Sequence, residues 1–262
     1  MALNERQRSE KLLYSDKINT VFISSGLLTK KWICILLVLC YTCQYVSAED
    51  YHCIWYGQCN QDALGRFQNC PYNGTAKEVT AKGEELLRKR CPHFFNSKVP
   101  GPLKTCCDIN QLTTMDQSIN LAAAFLKRCP SCLQNLVKHI CDFTCGVDQS
   151  RFINVTQIEQ NEKSLREYIT EIDVYIGDEY LNGTYDSCKQ VSVPSTGQLA
   201  LDLMCGEWTS SRCSPKKWFT YMGEAEGNPF VPFQINYIET NKTVEGFVPL
   251  NPAVTPCSQG IN

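Results

Sequence analysis

The chain has 262 residues, 25 basic and 27 acidic side chains, and a formal charge of −2. That balance excludes the basic stripe a nucleic-acid binder needs and an electrostatic hold on anionic membranes. Hydrophobic content of 43% is far above that of a disordered chain, so a packed core is expected, in one large domain or two small ones.

Lys30 and Lys31 precede an apolar run, Trp32 to Cys43, and the stretch ends in Val46-Ser47-Ala48. Small residues there fit a signal-peptidase site, and the run falls short of the ~20 residues a spanning helix needs. The expectation is a secretory signal with a long n-region over residues 1–48 and a luminal or extracellular domain over 49–262. A membrane anchor with a cytoplasmic arm before Lys31 is the competing reading. The cysteines point the same way as the signal. Cys34, Cys40 and Cys43 lie in the signal region, and fourteen of the 17 remain beyond it. An even number in a secreted chain reads as a disulfide framework, here of seven bridges. Sequons at Asn73, Asn154, Asn182 and Asn241 mark glycosylation sites of a secretory protein.

From Glu49 to Tyr72 cysteines are closely spaced and Gly57 and Gly65 are turn signals, which predicts a disulfide-tied loop, with Cys59 and Cys70 closing a small ring. Glu78 to Cys91 places Leu86 and Leu87 for a helix that packs one face. A Pro/Gly loop, NSKVPGPLKT, leads into Cys106 and Cys107, an adjacent pair expected to tie one segment to two separate places. Helical periodicity is strongest over 108–144, where Leu112, Met115, Ile119, Leu126, Leu133 and Leu136 recur at three- and four-residue steps. Pro130 interrupts it, so two helices should meet near Cys129. Ile172, Val174 and Ile176 alternate as in a strand, followed by a helical turn into Cys188. Ser195 to Gly206 reads as a helix with Leu199, Leu203 and Met204 on one side and Gly206 at its end. Pro229 and Pro232 within PFVPFQINYIE favour an edge strand. The sum is an α+β, disulfide-rich single domain, helices packed with a small mixed sheet.

No reactive constellation stands out. His52, His93 and His139 are far apart in sequence, and no nucleophile elbow, P-loop or dinucleotide-binding fingerprint is present. Cys129-x-x-Cys132 and Cys141-x-x-x-Cys145 have spacings that zinc could use, but an oxidising compartment favours disulfides. A thioredoxin-like use of Cys129 and Cys132 lacks the preceding strand of a βαβ unit. The domain is therefore expected to bind rather than catalyse, with no cofactor and no metal. Two uncharged amides sit at the rigid points: Asn69 just before Cys70, and Gln111 four residues after Cys107. Carboxamides both donate and accept hydrogen bonds without charge, which suits recognition of a single hydroxyl. The alternative is that both merely cap turns beside the disulfides.

Together CIWYGQC, QNCPY, CCDINQL, FLKRCPSCLQNLVKHICDFTCGVDQSRFINVT and LMCGEW resemble the luminal N-terminal domain of the Niemann-Pick type C cholesterol transporters, a family that includes a sterol-absorption paralogue. The resemblance spans Tyr51 to Cys257. It implies a deep pocket that receives cholesterol or an oxysterol with the 3β-hydroxyl end first, Asn69 and Gln111 being matched to the two hydroxyl-binding amides. Trp55, Thr114, Met115, Pro229 and Phe230 match pocket positions, though each could be ordinary core. Leu203 and Met204 match a pair at the pocket mouth, where the small soluble Niemann-Pick type C sterol carrier is met during hand-off. The implied pairing is Cys53–Cys106, Cys59–Cys70, Cys91–Cys141, Cys107–Cys145, Cys129–Cys257, Cys132–Cys188 and Cys205–Cys213. The setting implied is the late endosomal or lysosomal lumen, with the cell surface as the alternative. The family continues past the equivalent of Cys257 into membrane spans, so membrane association is expected only through such regions. The runner-up is a luminal protein-interaction ectodomain without a small-molecule ligand.

Overall fold

Seven cystines set the frame of the computed structural model, which describes residues 51–96 and 101–257. The expected signal over 1–48, with its three cysteines, and part of the Pro/Gly loop lie outside those residues. The cystines join Cys53 to Cys106, Cys59 to Cys70, Cys91 to Cys141 and Cys107 to Cys145. They also join Cys129 to Cys257, Cys132 to Cys188 and Cys205 to Cys213. Cys106 and Cys107 point to opposite partners, as neighbours on an extended segment must. Alkylation of the denatured, unreduced domain is expected to label none of these fourteen thiols. Stoichiometric label on Cys129 and Cys132 would overturn the framework.

Cys53 to Tyr72 is not a loop. It forms most of a twisted hairpin, β1 (Cys53–Gln61) antiparallel to β2 (Phe67–Gly74), with three register irregularities. Its tip is built by Asp62, whose Oδ1 accepts from the amides of Leu64 and Arg66. Gly65 there takes φ +79°, which a residue with Cβ rarely adopts. The Cys59–Cys70 ring staples the hairpin across its two strands, so the cysteine spacing was informative and the missing strand alternation was not. A two-residue ladder, β3 (Lys77–Glu78) with β4 (Lys104–Thr105), leads into the helical part.

Helix α1 (Ala81–Arg90) starts at Thr80, whose side chain accepts from the Gly83 amide. It buries Leu87 completely and leaves Leu86 half-buried. Helix α2 (Ile109–Leu126) and helix α3 (Pro130–Cys145) meet at Cys129, with Pro130 at the first position of α3, where it forfeits no helical hydrogen bond. One core lies among these three helices and holds Leu87, Leu112, Met115 and Ile119 around the buried half-cystines Cys91, Cys107, Cys141 and Cys145.

The sheet is mixed. Strands β5 (Ile153–Gln160) and β6 (Glu167–Ile176) pair antiparallel, and β7 (Gln234–Glu239) joins the free side of β6 in parallel at the edge. Only β6 alternates strongly in sequence; β5 is exposed along its second half, so its pattern is polar. A parallel partner requires a crossover. Here it comprises α4 (Asp178–Cys188), the one-turn α5 (Leu201–Met204), the short α6 (Thr209–Arg212) and α7 (Pro215–Gly223). Trp55, Phe152, Ile172, Val174 and Phe233 pack on the sheet, while Leu136, Tyr180, Leu201, Trp218 and Phe219 form a third core between α3, α4 and α7.

The expected helix over 195–206 is corrected to one turn. Val191 to Ala200 folds as a small antiparallel bridge instead, with the Val193 amide donating to Gln198 and the Ala200 amide to Val191. Val191 and Val193 are buried at period two, and Pro194 with Gly197 (φ +75°) reverses the chain. The buried side of α5 is Ala200, Leu201 and Cys205 rather than Leu199, Leu203 and Met204. Among the described residues no helix is long and apolar enough to cross a membrane.

Candidate functional site

Asn69 lies on β2 opposite Gln58 of β1 and one residue from the Cys70 cystine. Gln111 is the third residue of α2, four residues after the cystine at Cys107. The fold brings the two amides into direct contact: Gln111 Nε2 donates to Asn69 Oδ1 at 2.9 Å. Gln111 Oε1 accepts from the Gly57 amide at 2.7 Å and the Asp108 amide at 3.0 Å, and Asp108 in turn accepts from the Gln111 amide, a reciprocal helix cap. Gly57 can present its amide this way because it holds φ +83°. Gln111 therefore caps its helix with the side-chain oxygen and reaches Asn69 with the nitrogen.

The hydrogen-bond inventory of this corner is uneven. Gln111 Oε1 is saturated by two backbone donors, while its Nε2 retains one hydrogen and Asn69 retains both hydrogens of Nδ2. Asn69 Oδ1 has one lone pair left. A hydroxyl placed here could accept from either amide nitrogen and donate to Asn69 Oδ1. Gln58, which sequence reasoning passed over, joins the corner by donating from Nε2 to Thr114 Oγ1 at 3.1 Å. Only its place opposite Asn69 in the hairpin register could have marked it. The nearest carboxylate, Asp108, is occupied as the cap, and burial, with Asp108 and Tyr72 adding to it, raises the Tyr56 hydroxyl above its ordinary range. At neutral pH Tyr56 adds no charge to the group.

The other expected positions divide. Trp55 is fully buried, its ring edge-on to Phe143 at 5.0 Å and its Nε1 donating to the Thr144 carbonyl. Met115 is buried among α1–α3. Pro229 is exposed and Phe230 is 62% exposed. Their segment is nevertheless tied to the amide-bearing hairpin: Arg66 Nη1 donates to the carbonyls of Ala225 and Asn228, and Gln68 Nε2 donates to that of Pro232. Leu203 is 48% exposed, whereas Met204 packs half-buried on the α3–α4–α7 core. Gly206, at φ +56°, follows them under the ring of Tyr221, where a Cβ would come within 2.5 Å of the ring. An open cleft of about 420 Å³ lies elsewhere on the hairpin, lined by Cys59, Cys70, Pro71, Gln160, Arg166 and neighbours, and includes none of the expected sterol residues.

Cys129 and Cys132 are bonded to Cys257 and Cys188 rather than to each other, and among the described residues no group of three metal-ligating side chains comes together. Of the sequon asparagines, Asn73, Asn182 and Asn241 are exposed and Asn154 is half-buried.

A profile of the Niemann-Pick C1 N terminus family matches residues 50–262. The chain is 33% identical over 232 residues to NPC intracellular cholesterol transporter 1 of Sus scrofa, covering 87% of this chain and 17% of that protein. It is 31% identical over 217 residues to NPC1-like intracellular cholesterol transporter 1 of Mus musculus, covering 79% and 16%. A Drosophila melanogaster relative, NPC intracellular cholesterol transporter 1 homolog 1b, is 30% identical over 204 residues. The chain thus spans about a sixth of the length of the curated relatives it matches. With a match running from residue 50 to residue 262, this chain belongs to the Niemann-Pick C1 N terminus family.

Proposed function

We propose that this domain binds cholesterol or a related sterol in a deep pocket, 3β-hydroxyl end first, and passes it on without chemical change. The observation that carries the reading is the paired amide of Asn69 and Gln111, held by neighbouring cystines with unspent N–H groups. The family supports it, because the matched relatives are named as cholesterol transporters. In this reading the amides select the hydroxyl, since a buried hydroxyl without partners forfeits roughly 1–3 kcal/mol. The apolar rings supply affinity at about 25 cal/mol per Å² buried. Thr114, Met115 and Trp55 shape the inner wall, and Pro229 and Phe230 the wall facing the hairpin. Leu203 and Met204 form the mouth and meet a small soluble sterol carrier. The setting is the lumen of the late endosome or lysosome, reached through the signal over 1–48, with glycans on the sequon asparagines.

The testing experiment is a set of binding isotherms with cholesterol, a cholesterol 3-ester and a side-chain hydroxylated sterol. Cholesterol is expected to saturate one site per chain and the side-chain analogue to bind within a few-fold of it. The ester should bind at least tenfold more weakly, because its bulky end would enter first. Equal binding of the ester would reverse the orientation. No saturable binding of any sterol would leave the interaction ectodomain as the reading.

The mouth gives a second, separable test. Leu203→Gln is expected to leave stability within about 0.5 kcal/mol, as for an exposed site, while slowing sterol exchange with a carrier several-fold. Met204→Gln should cost more stability because its side chain packs on the core. Unaltered exchange in Leu203→Gln would remove this residue from the transfer path.

A further inference from the structure

The core between α3, α4, α7 and β7 contains a buried histidine that the sterol reading does not use. His139 is 3% exposed on α3 and surrounded by the rings of Phe143, Tyr180, Phe219 and Tyr237, with centroids 5.7–6.1 Å away. Its Nε2 lies 3.0 Å from the Tyr237 hydroxyl on β7, and its buried Nδ1 has no partner. An imidazolium needs an acceptor at both nitrogens. Here the second position is bare.

The surrounding groups offer no help to a proton. Tyr180 of α4 donates its hydroxyl to the Asn135 carbonyl at 2.7 Å, and burial raises both Tyr180 and Tyr237 far above their ordinary range. Neither can become an anionic partner. The face from α7 is Phe219. The one carboxylate that favours the charged ring is Asp142, a turn further along α3, and its Oδ1 is engaged by His93 Nε2 at 2.7 Å. Burial outweighs it and lowers His139 to about 4.

The same core reaches the expected mouth. Leu201 and Cys205 are buried in it, and Met204 and Trp208 pack against it beside Trp218 and Phe219 of α7. At the end of α7, Gly223 abuts the Ile235 carbonyl of β7 so closely that a Cβ would meet it at 2.1 Å. Helix α7, β7 and the 201–208 segment are therefore coupled to whatever disturbs the ring at His139.

We propose that His139 is an acid-operated release: proton uptake by its caged imidazole favours an opened form in which α7 and the 201–208 segment loosen from α3. The direction follows from linkage. A histidine free in water titrates near ~6.5, so between that value and its depressed native one the opened form holds more protons. The stabilisation is complete above about pH 6.5 and is lost progressively as pH falls toward 4. Between pH 7.5 and pH 5 the closed-to-opened ratio should drop about thirtyfold. The release itself does not depend on the sterol reading. Faster sterol exchange in acid would be its consequence and does rest on that reading.

The test is amide hydrogen exchange of the disulfide-intact chain, without sterol, at pH 7.5 and pH 5.0, corrected for the chemical exchange rate. Protection over 215–223 and 201–208 is expected to fall about thirtyfold in the wild type and to stay nearly level in His139→Leu. Equal falls in both proteins, or no fall in the wild type, would overturn the release. If His139→Leu does not fold, His139→Gln retains a polar side chain without a titrating proton and should be equally level. Nuclear magnetic resonance titration of the wild-type imidazole is an independent check. It should remain neutral to about pH 4, and a native value near ~6.5 would overturn the proposal. Sterol exchange is then measured at both pH values. Acid opening without sterol binding supports the release and refutes the sterol reading.

Discussion

Gln111→Ala is expected to lose both sterol affinity and stability, whereas Asn69→Ala should lose affinity with little change in fold. Removing the Gln111 side chain deprives the Gly57 and Asp108 amides of their common acceptor and removes half of the α2 cap. Each buried unsatisfied donor costs about 1–3 kcal/mol, so a total loss of about 2–4 kcal/mol in denaturant unfolding is expected. Asn69 has a smaller structural duty: its side chain only accepts from Gln111 Nε2. Its removal should cost less than about 1.5 kcal/mol and weaken cholesterol binding roughly fivefold to a hundredfold, at ~1.4 kcal/mol per decade. Gln111→Glu separates the two duties. Its carboxylate can still accept from both amides but has no N–H for a ligand. It should therefore be more stable than Gln111→Ala at neutral pH while binding cholesterol more weakly than wild type. Unchanged affinity in Asn69→Ala would show that the amide pair serves only to join the hairpin to α2.

Trp55→Ala should be the most destabilising single truncation considered, at about 3–5 kcal/mol. The indole is fully buried between Phe143, 5.0 Å away edge-on, and Phe233 at 5.9 Å. The polar part of the loss is small. The Thr144 carbonyl that accepts from Trp55 Nε1 also accepts from Gln149 Nε2, so it is not orphaned. The cost is that of a cavity. Trp55→Phe should retain most of the packing and lose clearly less. Urea unfolding with disulfides intact is the measurement. A loss for Trp55→Ala below about 1.5 kcal/mol would mean that the packing against Phe143 and Phe233 contributes little to the fold.

The two assignments differ in how far sequence could carry them. Trp55 was matched to the site by resemblance, with ordinary core as the alternative, and periodicity could not separate these. A residue pointing inward on a strand lines a pocket or fills a core depending on what stands opposite it. Opposite Trp55 stand Phe143, from α3, and Phe233, from the segment before β7. Leu203 shows the same limit on a smaller scale. Four-residue spacing groups it with Leu199, yet Pro194 and Gly197 turn the preceding chain into a bridge and rotate α5 so that Leu201 is buried instead.

The sequence by itself determined several things. These are the disulfide-dense α+β character, the break between α2 and α3 at Pro130, the alternating strand β6, the edge position of β7 and the family. Each is local or compositional: a proline removes a donor wherever it sits, and alternation at period two writes one buried face into the strand itself. Tertiary structure alone decided that Gln111 both caps α2 and grips Asn69, 42 residues away. It also recruited Gln58 to that corner, made a hairpin of the first cysteine cluster, and enclosed His139 in four aromatic rings. A hydrogen bond between distant segments depends on the register of a hairpin against the first turn of a helix. That register is set by the packing of every element between them.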